Sequence, residues 1–144
     1  MKQTPDLRRV IERMAPGVLC RDGFLGTDPR PLEEILDADR SAVAALGTTH
    51  EALAERLQTV YDQARAALGR PVEIRPGLTA VFHEAMGRIP GPWPGDGVFP
   101  KGDVEVTDAD TGRTLRFTAL SIALIRAHGF YQGAGSPYRL APDL

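Results

Sequence analysis

Residues 116–140, RFTALSIALIRAHGFYQGAGSPYRL, constrain the fold more than any other part of this sequence. The first half of the stretch is apolar over most of a helical circumference, so a helix there has to be buried on more than one side. Thr118 or Ser121 can cap its first turn, and Gly129 directly after His128 is typical of a left-handed helix end. The sequence therefore predicts a central C-terminal helix that ends at this glycine.

The segment that follows this helix, residues 129–139, combines glycines with side chains that can recognise a ligand. Gly129, Gly133 and Gly135 free the backbone, while aromatic rings, hydroxyls and a guanidinium lie between and after them. Such a loop can close over a small anionic or aromatic molecule. It can also fold back onto the core as a tail whose tyrosine rings pack while their hydroxyls reach solvent. The sequence leaves both interpretations open.

Composition limits the class of protein and its partners. With 144 residues, 42% of them apolar and 25% charged, the chain is typical of one globular domain. The net charge of −2 gives no general attraction to nucleic acid or to an anionic membrane. No apolar run approaches the roughly 20 residues that span a bilayer, and the lone Cys20 cannot form an internal disulfide. We therefore expect a cytoplasmic protein, bacterial in style, with no membrane partner; association into a homo-oligomer stays open.

Helical patterns fill the first half of the chain. A short amphipathic helix is predicted to begin at Thr4-Pro5, where threonine caps the helix and proline costs no hydrogen bond, and to stop at Pro16-Gly17. A second helix is predicted to begin at Pro31 behind Asp28 as a candidate cap. Asp39 is a second candidate cap that would restart this helix.

The third helix has the clearest pattern. Thr48 and Glu51 fit a capping box, and the apolar residues after them repeat at helical spacing up to a stop at Gly69. A DNA-binding role for this helix is disfavoured, because Glu55 would repel phosphates and Arg56 occupies a position that should pack inward. The segment therefore indicates ordinary helix packing, and no nucleic-acid partner is expected.

The second half of the chain carries strand patterns. Val72 and Ile74 alternate with polar neighbours, and residues 78–86 fit a second strand, although their apolar spacing also fits a helix. Valines at 104 and 106 and apolar residues at 115 and 117 predict a hairpin around a turn at 108–112.

Residues 88–102, RIPGPWPGDGVFPKG, hold four prolines and four glycines and are predicted to form a rigid irregular connection, neither helix nor central strand. Together the patterns predict one α+β domain over residues 1–144. Its N-terminal helices, about 4–69, pack on a small, mainly antiparallel sheet. The sheet, the proline-rich loop, a C-terminal helix and an ordered tail occupy about 71–144.

Three sequence patterns fall short of metal or cofactor sites. His83-Glu84 begins like the helical zinc motif H-E-x-x-H, but Gly87 stands where the second histidine is required. Residues 108–112, DADTG, start like a calcium loop but lack the later ligands and are typical of a hairpin turn. The glycine spacing at 129–135 matches neither a dinucleotide fingerprint nor a P-loop. The sequence predicts no metal and no cofactor.

The patterns R-I-P-x-P-W, F-P-K and L-S-I-x-L-I-x-x-H-G-F-Y-Q-G-x-G-S-P-Y-R-L follow one another in the C-terminal half. In this respect the chain resembles a group of small, uncharacterised bacterial cytosolic proteins that share such a half. The resemblance covers roughly residues 87–140. It implies no activity, because none is established for the group. In these proteins a cysteine often stands where this chain has Gly91.

Two classes of function fit these features. The first is a non-catalytic small-ligand or protein-binding, regulatory protein that uses the loops around Trp93 and 129–139. A small anionic ligand or a protein is the expected partner. The candidate ligand-binding residues are Trp93, Lys101, Arg126, His128, Tyr131, Ser136, Tyr138 and Arg139.

The alternative is a small cytosolic hydrolase or lyase. In that case His128 or His83 would serve as the general base, and Arg126 or Arg139 would hold an anionic substrate. An enzyme needs a histidine that meets a second polar group in a concave pocket, whereas a binding protein can present a flatter aromatic patch. We favour the non-catalytic class.

Overall fold

The computed structural model describes residues 5–20 and 23–140. Its architecture is the α+β class that the sequence predicts, with four helices and six strands in the described part of the chain. In chain order they are α1 Pro5–Arg13, α2 Leu32–Ala45, α3 His50–Ala66, β1 Val72–Arg75, β2 Leu78–His83, β3 Arg88–Pro90, β4 Val98–Pro100, β5 Asp103–Asp108, β6 Thr114–Thr118 and α4 Ala119–His128. No helix among these residues is long and apolar enough to cross a membrane.

The main sheet has four antiparallel strands in the order β1-β2-β5-β6. Residues 78–83 form a strand, which decides the choice between strand and helix that the sequence left open. In the register, Val104 of β5 lies between Phe82 and Phe117 of its two neighbours. The predicted β5–β6 hairpin is therefore confirmed, and one face of the sheet carries the apolar side chains.

The sequence predicts that the proline-rich segment is irregular throughout. In the structure, two parts of this segment form paired strands. Arg88–Pro90 pairs with Val98–Pro100 as a separate two-stranded antiparallel ribbon. Each strand of such a ribbon is hydrogen-bonded on one side only, so a proline without an N–H can be tolerated on the other side. The prediction that this segment is neither helix nor central strand holds.

Three of the predicted helix caps, Asp28, Asp39 and Thr48, are wrong. Helix α2 starts after Pro31 with no side-chain cap, and it continues through Asp39 rather than restarting there. Asp39 is buried and pairs with a distant arginine, so its carboxylate serves tertiary structure instead of a helix end. In α3 the cap is Thr49, one residue later than predicted, and it accepts a hydrogen bond from the backbone N–H of Ala52. Thr4, the cap predicted for α1, lies outside the described residues.

Helix α4 forms as its sequence predicts. Thr118 and Ser121 form a reciprocal capping box, and Gly129 ends the helix in a left-handed conformation with φ of 62°. Ile122 and Ile125 belong to a core shared with α3 and the main sheet, whereas other α4 side chains belong to a second core. That second core also contains residues of α1, α2 and the β3–β4 ribbon. The expected burial of this helix on more than one side is therefore observed.

The tail after α4 folds back onto the chain between α1 and α2. The backbone N–H of Gly133 donates to the carbonyl of Phe24 at 2.9 Å, and that of Thr27 donates to the carbonyl of Ala134 at 3.1 Å. A Cβ at Gly133 would collide with the backbone of Leu25, so only glycine permits this approach. The tail is thus part of the packed structure.

A buried ion pair closes the tail. Arg139 donates from Nη1 to Asp39 Oδ2 at 2.5 Å and from Nη2 to Asp39 Oδ1 at 2.8 Å, and Nη1 also donates to the carbonyl of Gln132 at 2.8 Å. Gln132 has a φ of 67°, a left-handed conformation that is uncommon outside glycine. The contacts of Arg139 and the hydrogen bond that Ser136 Oγ donates to the Gln132 side chain offset that strain.

We predict that Asp39→Ala lowers the free energy of unfolding by about 3 kcal/mol, because it leaves a largely buried guanidinium without its partner. The matched control is Asp37→Ala on the same helix, which removes an exposed pair with Arg40 and should cost less than about 1 kcal/mol. Urea denaturation of both variants measures the difference. Equal losses would contradict the assignment of the Asp39–Arg139 pair as the closure of the tail.

Candidate functional site

Trp93 and the residues that follow α4 meet in one aromatic cluster, which we call the Trp93 cluster (Trp93, Asp96, His128 and Phe130). The rings of Trp93 and His128 are stacked, with centroids 4.0 Å apart and an interplanar angle of 15°. Phe130 meets the Trp93 ring edge-on at 5.5 Å. The two loops that the sequence analysis selected are therefore in direct contact at this point.

Asp96 orders this cluster. Its Oδ1 lies 2.5 Å from His128 Nε2, and its Oδ2 accepts a hydrogen bond from the backbone N–H of Trp93 at 2.8 Å. Gly91 lies beneath the carboxylate, at a position where a Cβ would overlap the Asp96 side chain. The carbonyl of Gly91 in turn accepts a hydrogen bond from Arg13 Nη2 at 3.0 Å. A side chain at position 91 is thus incompatible with the observed placement of Asp96.

Carboxylates engage the two arginines that were candidates for holding an anion. Arg126 donates from Nη2 to Glu55 at 2.7 Å and lies 3.4 Å from Glu51, at the protein surface. Arg139 is the partner of Asp39 in the buried pair. An anionic ligand at either arginine would have to compete with a carboxylate already in place.

The remaining candidates of the tail make structural contacts. Ser136 donates to Gln132, and the Tyr138 hydroxyl donates to Asp103 Oδ2 at 3.2 Å. Burial raises the pKa of Tyr138, and the neighbouring Asp103 raises it further. Lys101 is exposed after β4. These side chains do not converge with Trp93 on a common hydrogen-bonding group.

Tyr131 differs from the other candidates because it contacts His50 and also lines a cavity. Its hydroxyl is 2.8 Å from Nδ1 of His50, whose ring is packed against Gly129. Burial, together with the negative charge of Asp39, raises the pKa of Tyr131 to about 12, so the hydroxyl keeps its proton at neutral pH. Tyr131 also lines the cavity described next.

A cavity of about 510 Å³ lies between α3 and the apolar face of the main sheet. We call it the α3–sheet cavity. Most of its wall is apolar, and it extends from the β1–β2 and β5–β6 turns to the tail after α4. The apolar lining residues are Leu53, Leu57, Val60, Ile74, Leu78, Val106, Leu115, Phe117, Tyr131 and Leu140.

In the polar part of the lining, positively charged side chains outnumber negatively charged ones. Arg56, Arg75 and Arg113 line the cavity, and all three are exposed. No ion pair joins any of them to a carboxylate in the described part of the chain. Among the described lining residues Asp108 supplies the only carboxylate. The cavity therefore combines an apolar interior with a cationic rim.

The sequence pattern does not reveal this cavity. The helical spacing of Leu53, Leu57 and Val60 predicts which face of α3 turns inward, yet all three side chains are only half-buried. Periodicity gives the direction of a side chain but not how completely the opposite layer fills the space. One signal was available, because Arg56 occupies a helical position that should pack inward, and it lies at the edge of the cavity.

Within residues 5–20 and 23–140, no group of three or more His, Cys, Asp or Glu side chains could hold a metal ion. His83, the alternative general base, is exposed at the end of β2. Comparison with protein-family models, with curated proteins and with solved structures gave no significant match. The geometry of the chain itself is therefore the basis for a functional proposal.

We predict that Gly91→Ala destabilises the protein by about 1–3 kcal/mol, because the new methyl group forces Asp96 away from His128. Gly91 does not have a positive φ, so backbone strain does not add to this cost. Emission from Trp93, the only tryptophan, should change at the same time because the indole loses its ordered neighbours. In an Asp96→Gly background the same substitution at Gly91 should cost much less, since both the Cβ and the carboxylate that collide with the new methyl group are gone. Equal costs in both backgrounds would show that the collision is not the cause.

Proposed function

We propose that this protein is a non-catalytic binding protein that holds a small, largely apolar molecule in the α3–sheet cavity. The observation that carries the proposal is the cavity of about 510 Å³ with its mainly apolar lining. Pockets for small molecules typically measure about 300–1,000 Å³ and combine an apolar wall with a few polar groups. The size and lining of this cavity match both criteria.

A ligand in the cavity would gain binding free energy by covering apolar side chains that are partly exposed to solvent. Leu53, Leu57 and Val60 are half-buried on a helix that otherwise packs against the sheet. Covering such a side chain completely is worth on the order of 1 kcal/mol. Several coverings of this kind are needed to offset the roughly 4–15 kcal/mol that association costs in lost freedom. A ligand that contacts many of the apolar lining residues can meet that requirement.

The wall of the cavity is built from several parts of the chain. Most of the wall belongs to one helix and four strands, so its shape is largely set by regular secondary structure. Tyr131 and Leu140 add the C-terminal tail to the wall, and Tyr131 is one of the candidate residues selected from the sequence. The tail thus contributes to binding by its apolar surface, in addition to closing the fold.

We expect N-phenylnaphthylamine, a neutral fluorophore that brightens in apolar surroundings, to bind the protein with a stoichiometry near one. Leu57→Trp should abolish this binding, because the larger ring fills the cavity. The matched control is Leu46→Trp, which places the same ring at a position that is 53% exposed and not part of the lining. Fluorescence titration of the three proteins is the measurement. Binding by Leu57→Trp with parental affinity would contradict the proposed site.

The alternative, a hydrolase or lyase, is supported by one arrangement in the Trp93 cluster. Asp96 fixes Nε2 of His128 at 2.5 Å, which leaves Nδ1 as the nitrogen that would exchange a proton with a substrate. The arginine clamp expected for this function is less suited to an anion, because carboxylates engage both Arg126 and Arg139. We therefore rank catalysis second.

The alternative predicts that hydrolysis of a panel of aryl esters and aryl phosphates is lost in His128→Gln. Asp96→Asn should retain part of the rate with an altered pH profile, because Asp96 would position the base without contacting the substrate. Loss of activity in His83→Gln instead would assign the base to that histidine. Absence of turnover by the parent protein above the buffer rate would exclude His128 as a base for these substrates.

A further inference from the structure

The α3–sheet cavity has a polar end and an apolar end. Arg75 is the last residue of β1, and Arg113 lies in the turn between β5 and β6. The two turns meet, because the backbone N–H of Ala109 donates to the carbonyl of Gly77 at 2.8 Å. Both arginines therefore lie at the same end of the sheet, and the polar side chains of Asp108 and Thr111 line the cavity nearby.

The opposite end of the cavity is apolar. Along β6 the lining passes from the turn to Leu115 and then to Phe117, which is fully buried. At about 3.3 Å per residue, the wall from the start of β6 to Phe117 is roughly 10 Å long. An elongated molecule would thus have one end among the arginines and the other against Phe117 and the tail.

The charge at the polar end favours an anion. Arg75 and Arg113 contribute two guanidinium groups at this end, and Arg56 on α3 contributes a third to the cavity lining, against the single carboxylate of Asp108. That carboxylate is partly engaged, because its Oδ1 accepts a hydrogen bond from the backbone N–H of Asp110 at 2.9 Å. Guanidinium groups donate in a planar fork that suits the oxygens of carboxylates and phosphates. The arginines occur at this rim although the whole chain has a net charge of −2.

We infer that the ligand is an amphiphile with an anionic head, a carboxylate or a phosphate ester, on an apolar tail. The head lies among Arg56, Arg75 and Arg113, and the tail lies along β6 towards Phe117. This inference rests on the proposed function, since it names the class of molecule that the same cavity would hold. Carboxylate and phosphate heads share the recognising chemistry, so the test includes both.

The test compares decanoate and decyl phosphate with decanol, below the concentrations at which they form micelles. Each compound displaces N-phenylnaphthylamine from the full chain, and its affinity is read from the loss of fluorescence. Each exposed ion pair is expected to improve affinity by about two- to fivefold, so the anions should bind about tenfold or more tightly than decanol. Raising the salt concentration should reduce this preference, since the arginines are exposed.

Three variants locate the head group. Arg56→Gln, Arg75→Gln and Arg113→Gln should each weaken decanoate binding by about two- to fivefold, and the triple variant should bind decanoate and decanol alike. Decanol binding should stay at the parental level throughout. The matched control is Arg65→Gln, which removes an exposed arginine from the same helix as Arg56 but not from the cavity lining.

The outcomes separate the inference from the proposed function. Equal affinity of the parent for decanoate, decyl phosphate and decanol would overturn the anionic head but leave the cavity as a ligand site. A preference for anions that survives in the triple variant would overturn the assignment to these arginines. Failure of every compound, including the neutral fluorophore, to bind the parent would overturn the proposed function as well. A preference for decyl phosphate over decanoate that is lost in the triple variant would support the inference and identify the head as a phosphate.

Discussion

The double burial of helix α4 is the constraint on which the other features depend. Its side chains belong to two separate apolar cores, one shared with α3 and the main sheet and the other with α1, α2 and the β3–β4 ribbon. A helix with polar residues on one face could join only one of these cores. Because α4 joins both, its C-terminal end at Gly129 fixes where the tail begins and where Tyr131 and His128 lie.

The tail uses its polar residues mainly for its own structure. Arg139 pairs with Asp39, Gln132 is held in a left-handed conformation, and Ser136 bonds to Gln132. A further polar contact holds the tail at Ala134, whose backbone N–H donates a hydrogen bond to the carboxylate of Asp28. The guanidinium of Arg30 holds the pKa of Asp28 well below its usual range, so this carboxylate stays charged and able to accept at neutral pH. Polar residues concentrated on a glycine-rich loop therefore need not indicate a ligand site.

The α3–sheet cavity reflects incomplete packing between two otherwise regular layers. At the end of β1 and just before β6, Arg75 and Arg113 line the cavity with exposed side chains. Side chains of this kind keep their charged ends in water while their stems cover apolar surface. The α3–sheet cavity therefore has an apolar interior and a cationic rim. These two properties are the basis of the proposed function and of the inferred ligand class.

The sequence by itself determined the elements whose signals are local. A cap of α4 at Thr118 or Ser121, the glycine end of α4 and the β5–β6 hairpin follow from neighbouring residues, and the structure contains all of them, with Thr118 and Ser121 capping reciprocally. Only the tertiary structure decided the pairings between distant residues. The local sequence suggests a helix cap at Asp39, because the true partner of this carboxylate lies 100 residues away. The cavity cannot be predicted from local patterns either, since its walls come from five elements, the turn between β5 and β6, and the tail. Periodicity specifies which way a side chain points, whereas what it meets there depends on how the whole chain packs.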